Sequence, residues 1–367
     1  MVSMINDTEF PITLPEGTII GTLHPIKEED IFKFEEPNVR QTTTFPSHSS
    51  TELPKKCEKM FNEAGSEDLK SQDKDKLKQL LIEFEECFAQ NEFDLGTFDQ
   101  IEHKIDTGNS SPIKLPLRKT PFHFRAEEEE LLQKMLDAKV IEPSNSAWAA
   151  APVLIRKKDK SVRWCLDYRE LNKITKKDVF PLPHISECMD SLEGNWWFSK
   201  LDAQSAYWQI PVAESDKEKT AFRTRQGLWQ FSKLPFGMVN APSTFSRAMN
   251  LVLKGLTWTT TLAFLDDILV LGKTTEEHLK NLKNVLQRFK QFGLRFKPDK
   301  CSLFQKEVMF LGRKVNRQGV SVTDESIEIM QHWKEPNNKK EIECFLGFAN
   351  FHRSFIKKLL RNSRTSK

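Results

Sequence analysis

The stretch Leu262-Ala-Phe-Leu-Asp-Asp-Ile-Leu-Val-Leu271 sets two carboxylates between two strongly apolar runs. The runs read as two short strands within Thr261–Leu271, joined at Asp266-Asp267. A tight hairpin usually takes Asn-Gly or Asp-Gly, because a positive φ costs least there. An Asp-Asp corner gives up that ease and sets like charges side by side. Taken alone, the pair suits an exposed turn as well as a functional one, since Asp is a common turn residue.

Working outward, Trp196-Trp-Phe-Ser-Lys-Leu-Asp202 is another apolar strand that runs into an acid. Asp202 alone would also suit the N-cap of the short helix or turn that Ser205–Gln209 begins. If the two strands share one sheet, Asp202 faces Asp266 and Asp267 across a single edge. Carboxylates so placed form an oxygen-rich site for Mg²⁺. Two such ions can activate a 3′-hydroxyl, bridge a triphosphate and stabilise the leaving pyrophosphate, and phosphoryl transfer asks little more of a protein than positioning.

The surroundings alternate short strands with helices from Trp148 to Gly319, which predicts an α+β fold. Trp148–Ile155 and Val162–Leu166 read as a hairpin around the basic turn Arg156–Lys160. Thr244–Lys254 reads as a helix. Thr275–Phe292 has an apolar stripe and stops at Gly293. Val308–Val315 and Val320–Val322 read as a strand pair around Gln318-Gly319, and Lys339–Leu360 as helix. Upstream, Leu77, Leu80, Leu81, Phe84 and Phe88 predict an amphipathic helix, and Glu127–Glu130 open another, acidic where the helix dipole favours it. Residues 1–60, rich in Pro, Thr, Ser and Glu, read as flexible linker.

The net charge of +3 conceals a division along the chain. Residues 1–110 carry 11 Lys+Arg against 23 Asp+Glu, while residues 111–367 carry 44 against 29. The second part would be drawn to a phosphate backbone and the first repelled. No apolar run approaches the roughly 20 residues that span a bilayer, and the first residues lack a signal peptide's basic lead and apolar core. The expected setting is intracellular, cytoplasmic with a nuclear alternative, and without membrane attachment. The six scattered cysteines form no Cys-x-x-Cys pair, so they read as reduced structural side chains.

The ordered motifs Arg163-Trp-Cys-Leu-Asp-Tyr-Arg-Glu-Leu-Asn172, Phe180-Pro-Leu-Pro183, Phe198-Ser-Lys-Leu-Asp202, Lys219-Thr-Ala-Phe-Arg-Thr224, Leu234-Pro-Phe-Gly-Met-Val-Asn-Ala-Pro242, Phe264-Leu-Asp-Asp267 and Phe310-Leu-Gly312 carry a resemblance. From Lys114 to about Lys358 the chain resembles the reverse transcriptase of gypsy-type LTR retrotransposons and, more distantly, of retroviruses. The resemblance implies an RNA-directed DNA polymerase with a right-hand fold of fingers, palm and thumb, and a ferredoxin-like palm. It implies fingers at about 111–177 and 210–240, palm at about 178–209 and 241–316, and thumb with the start of the connection at 317–367. An acidic helical segment, 61–110, precedes them.

The same resemblance implies roles by position. Asp202, Asp266 and Asp267 are implied as catalytic metal ligands for two Mg²⁺ ions, with Mn²⁺ as a substitute and Asp267 making less direct contact. Lys157, Lys158 and Arg163 resemble the cations that grip the incoming triphosphate, against the plainer reading of a solvated basic turn. Tyr207 resembles the steric gate that collides with a ribose 2′-hydroxyl, and Phe236-Gly237 lies where the nucleotide is supported. The chain has 2 Tyr against 27 Phe, and both tyrosines lie in motifs, although a core aromatic remains the other reading of Tyr207. Phe310, Leu311 and Gly312 resemble the element that holds the primer end. The implied partners are deoxynucleoside triphosphates and a primed RNA or DNA template.

Asp106-Thr-Gly108 spells the aspartic-protease tripeptide, but its flanks lack the apolar strand that motif needs, and it matches the family's lead-in to the fingers. Phe264 stands where the family most often has tyrosine, and Ala206 where this branch commonly has glycine. The resemblance ends near Leu360, so the expectation is a Pol piece cut before RNase H and integrase. The competing reading is an inactive relic that at most binds nucleic acid.

Overall fold

The computed structural model describes residues 52–65, 68–117, 120–156 and 162–356. In chain order the helices are α1 (Lys55–Asn62), α2 (Ser71–Glu83), α3 (Arg125–Asp137), α4 (Arg169–Ile174), α5 (Ile185–Asp190), α6 (Ala241–Val252), α7 (Thr275–Gln291), α8 (Asp324–Gln331) and α9 (Lys339–Phe351). The strands are β1 (Ile141–Pro143), β2 (Ala151–Arg156), β3 (Val162–Asp167), β4 (Trp197–Asp202), β5 (Phe222–Thr224), β6 (Gly227–Phe231), β7 (Thr261–Phe264), β8 (Asp267–Gly272), β9 (Ser302–Gln305), β10 (Glu307–Phe310), β11 (Arg313–Asn316) and β12 (Gly319–Ser321).

The central sheet has the order β7-β8-β4-β9, with every neighbouring pair antiparallel. Its elements follow one another as β4-α6-β7-β8-α7-β9, which is the ferredoxin-like βαββαβ arrangement. The stretch between β4 and α6 leaves this unit to form β5 and β6. These pair with β1 in the order β1-β6-β5, and the β2–β3 hairpin joins them through a bridge between Ala150 and Phe222.

Alternation along β4 explains how the sheet is covered. Trp197 and Leu201 point into the main core with Phe245 of α6 and Leu282, Val285, Leu286 and Phe289 of α7. Phe198, on the opposite face, packs with Leu269 and Leu271 of β8 and with Val308, Phe310 and Val315 of the β10–β11 hairpin. A strand covered on both faces reads as a continuous apolar run, which is why β4 and β8 show little polar alternation. That second cover stops short of Lys200 and Asp202, so this corner of the face opens into a cleft.

Helix α7 forms where its pattern predicts. Thr274 caps it by accepting from the Glu277 N–H at 3.2 Å, acids occupy its first turn and Arg288 and Lys290 its last. Gly293 follows at φ +66. Several boundaries differ from the sequence expectation, among them α6, expected at Thr244–Lys254 and found at Ala241–Val252, and α2, which ends at Glu83 before the expected Phe84 and Phe88. Helix α1 lies within the expected linker because Cys57 and Met60 are buried, whereas residues 1–51 lie outside the described residues. Val308–Val315 is not one strand: Leu311 and Gly312 both take positive φ, +50 and +73, and turn the chain so that Phe310 pairs with Arg313. Helix α9 ends at Phe351, where a short 3-10 turn, Arg353–Phe355, replaces the expected continuation. The palm hairpin turns at Leu265-Asp266, since Phe264 pairs with Asp267.

All six cysteines are free. Burial pushes the thiols of Cys57, Cys87 and Cys301 up to about 12, which leaves them as protonated packing groups.

Candidate active site

The register of the central sheet brings the three acids together. Asp202 closes β4 directly opposite Asp267, which opens β8, and Asp266 occupies the adjoining turn. The Ala203 N–H lies 3.4 Å from the Asp266 carbonyl and holds the turn against the end of β4. The strain of this corner falls on Leu265, at φ +55, a conformation that bulky residues rarely adopt. Neither carboxylate-bearing residue takes the positive φ, contrary to the Asp-Asp corner read from sequence.

All three acids line one cleft of about 700 Å³, with Lys200 and Lys300 beside them and Glu307, Val308 and Met309 along one wall. Asp202 is only 8 % exposed. Burial raises its pKa above the ordinary aspartate value, Lys300 opposes that rise, and Asp266 and Asp267 add to it. Lys300 Nζ lies 3.4 Å from Asp202 Oδ2, and Lys200 Nζ lies 2.8 Å from Asp267 Oδ1. Three carboxylates thus face two ammonium groups, a balance that leaves room for further positive charge.

The donor set suits a hard divalent cation, because every acid in the cleft offers carboxylate oxygen and neither a thiol nor an imidazole lines it. Among the described residues no three His, Cys, Asp or Glu side chains converge as a ready metal cage. Asp202 and Asp267 each contact an ammonium, and these two carboxylates with Asp266 are the groups that would hold a divalent ion.

The expected nucleotide-side residues divide into two groups. Tyr207 lies in the 3-10 turn Ala206–Gln209, half-buried, and its phenol pKa is raised by burial and then by the Asp266 carboxylate. Its ring lies 5.1 Å from Phe236 and 5.8 Å from Phe245. Phe236 is 47 % exposed, and Gly237 takes φ +94 in a turn held by Asn172, whose amide donates to the Gly237 carbonyl at 2.8 Å. The other group is the basic hairpin tip. Lys157 and Lys158 lie outside the described residues, and Arg163 belongs to β3 opposite Ile155.

At the expected primer-holding element, Phe310 is fully buried and Leu311-Gly312 form the hairpin tip. Met309, 48 % exposed on the cleft wall, and Lys200, whose Nζ lies 3.5 Å from the Met309 carbonyl, were not singled out from sequence. Lys200 was legible there: two residues before Asp202 on a strand, it must share that residue's face. Lys300 was not, because its approach depends on a long-range return of the chain.

Other motif residues are structural. Tyr168 is buried and its hydroxyl donates to the Thr220 carbonyl at 2.7 Å. Asp106 accepts from the Gly108 N–H at 2.9 Å and pairs with Lys176 at 2.8 Å, as an exposed turn residue does.

A ferredoxin-like sheet carrying acids at one corner, with β-rich insertions on one side, is the architecture of a right-hand polymerase palm. Residues 155–315 match the family described as reverse transcriptase (RNA-dependent DNA polymerase). The chain is 31 % identical over 298 residues to the retrovirus-related Pol polyprotein from transposon 412 of Drosophila melanogaster, covering 79 % of this chain and 24 % of that protein. It is 34 % identical over 248 residues to the transposon Tf2-3 polyprotein of Schizosaccharomyces pombe, covering 67 % and 18 %. The structure of the foamy viral protease-reverse transcriptase in complex with RNA/DNA hybrid is similar at a TM-score of 0.73 and 24 % identity, over 84 % of this chain and 42 % of that one. The form of that protein in complex with double-stranded DNA and designated dRH gives 0.75 and 24 %, over 85 % and 54 %. Residues 155–315 form a reverse transcriptase domain, and the chain has the right-hand polymerase fold. It spans about a quarter of the transposon 412 polyprotein and under a fifth of the Tf2-3 polyprotein. Among the described residues no helix is long and apolar enough to cross a membrane.

Proposed function

We propose that this chain is the polymerising part of a gypsy-type LTR retrotransposon Pol protein, an RNA-directed DNA polymerase acting inside the cell. It adds deoxynucleotides to a primer 3′ end on an RNA or DNA template. Asp202, Asp266 and Asp267 hold the divalent ions, Mg²⁺ or Mn²⁺. When bound, the ions supply activation of the 3′-hydroxyl and neutralisation of the triphosphate charge. The observation that carries this reading is the pairing of Asp202 with Asp267 across β4 and β8, with Asp266 in the adjoining turn.

The chain's own residues divide the remaining work. Tyr207 blocks a ribose 2′-hydroxyl, Phe236 and Gly237 support the nucleotide, and Lys157, Lys158 and Arg163 pair with its phosphates. The Phe310–Gly312 hairpin positions the primer, through its Leu311-Gly312 tip and not through the buried Phe310 ring. In this reading the fingers are about 111–177 and 210–240, the palm about 178–209 and 241–316, and the thumb with the start of the connection 317–367. Primer extension on an RNA template with Mg²⁺ tests the proposal. Extension by the parent chain and its loss in Asp266→Asn are expected. A folded parent chain that binds the template-primer but never extends it would establish the relic reading instead.

A further inference from the structure

Tyr207 lies within a run of aromatic contacts that reaches well beyond its own turn. Phe245, buried in α6, meets the Tyr207 ring at 5.8 Å, and Tyr207 meets Phe236 at 5.1 Å. Phe236 in turn meets Trp208 at 5.9 Å, edge to face. Trp208 stacks on Phe93 at 5.8 Å with an interplanar angle of 24°. Phe93 belongs to an acidic segment upstream of residues 155–315, so the family match assigns it no role.

Backbone contacts bind that segment to the turn carrying Tyr207. The Gln204 side-chain amide donates to the Glu92 carbonyl at 2.6 Å, and the Phe98 N–H donates to the Gln209 carbonyl at 3.1 Å. Gln209 donates to the Arg295 carbonyl at 3.0 Å and accepts from the Arg295 N–H at 2.8 Å. Arg295 pairs with Asp94, and the Thr97 N–H donates to the Gly293 carbonyl at 2.8 Å. The approach is so close at Gly96 that a Cβ would overlap the Gly293 carbonyl and the Gln209 side-chain oxygen. Both ends of the 204–209 turn are therefore fastened to residues 91–98. Within the turn, Ser205 takes φ +43, a conformation that persists where surrounding contacts enforce it.

A steric gate selects sugars only as far as its ring resists displacement. A ring that can yield admits the extra hydroxyl, so selectivity depends on what stands behind it. We propose that the 91–98 segment is an in-chain brace for the sugar gate, and that Phe93 is a positioning residue acting through Trp208 and Phe236 on Tyr207. The proposal rests on the gate reading of Tyr207.

The test compares kcat/KM for a deoxynucleotide and the matching ribonucleotide in single-nucleotide incorporation, using the whole chain. Phe93→Ala removes the stack, Phe93→Leu keeps apolar volume and folding while removing the ring, and Tyr207→Ala is the reference. Phe93→Ala relaxes the deoxy-over-ribo ratio roughly two- to tenfold, the worth of one aromatic pair. Deoxynucleotide kcat stays within about twofold, because the reacting groups are untouched. Phe93→Leu shifts the ratio the same way by less, and decides the matter if the alanine variant does not fold. An unchanged ratio in both Phe93 variants, with relaxation in Tyr207→Ala, overturns the brace and leaves the gate standing. An unchanged ratio in Tyr207→Ala overturns the gate reading and the brace with it, as does a parent chain without activity.

Discussion

Ser199→Ala removes one oxygen from beneath the acid corner, and the structure sets the size of its effect. Ser199 lies on β4, fully buried, three residues before Asp202. Its Oγ accepts the Phe304 N–H at 3.0 Å and lies 2.7 Å from Nε2 of His278, itself fully buried on α7. Phe304 takes φ +49, where the β4–β9 register shifts between Phe198 and Lys200. One hydroxyl therefore ties β4 to both α7 and a strained point of β9. Alanine leaves the Phe304 N–H and the His278 nitrogen unpaired in a site without water access. Each orphaned group costs about 1–3 kcal/mol, so a loss of roughly 2–6 kcal/mol is expected from a total stability on the order of 5–15 kcal/mol. Urea denaturation followed by tryptophan fluorescence measures this, and hydrogen exchange localises it, with Ser302–Gln305 opening first. A loss under about 1 kcal/mol, or exchange that speeds everywhere except at β9, would refute the reasoning.

Acid should destabilise the fold through its buried histidines. Burial lowers His278 to about 3 and His103 to about 4, below the ordinary value of 6.5. The unfolded chain therefore binds protons that the folded chain refuses. Their contribution is complete above about pH 6.5 and declines as pH falls toward 4, by roughly 1.4 kcal/mol per unit for each group. A urea midpoint that stays flat from pH 7 to pH 5 would contradict this. Arg313→Met should loosen the last helix, because the guanidinium lies 5.0 Å and 4.8 Å from the Phe351 and Phe355 rings and donates to the Phe351 carbonyl at 2.6 Å. The expected local cost is about 1–3 kcal/mol, read as faster amide exchange in α9 with β4 unchanged. Equal acceleration in both elements would count against a local latch.

Patterned elements were legible from sequence, and features set by single backbone angles were not. Helix α7 carries its cap, stripe and stopping glycine in consecutive residues, so its expected Thr275–Phe292 span matches Thr275–Gln291 closely. Strand β4, expected at Trp196–Leu201, is found at Trp197–Asp202, since two apolar faces leave few alternatives. The hairpin corner moved because pairing of Phe264 with Asp267 leaves Leu265 to bear the positive φ, and propensity gives no hint of that. Leu311-Gly312 hid a turn inside an apolar run for the same reason, as a leucine at φ +50 has no sequence signature. The acids themselves were legible as two strand ends. Their adjacency was not, because it depends on β4 and β8 pairing across residues 203–266. Phe93 lay outside every motif, and its stacking on Trp208 follows only from the folded path of residues 91–98.

The central claim is that Asp202, Asp266 and Asp267 hold the metal ions of a polymerase. It is tested most directly by single-turnover incorporation of one deoxynucleotide on a primed RNA template, with Mg²⁺ titrated and Asp202→Asn compared with the parent chain. Loss of a metal ligand should lower the rate by roughly a thousandfold or more while template-primer affinity stays within about threefold, because the carboxylate serves the reacting phosphate and not the duplex. Incorporation at parental rate by Asp202→Asn, at the same Mg²⁺ concentration, would contradict the account.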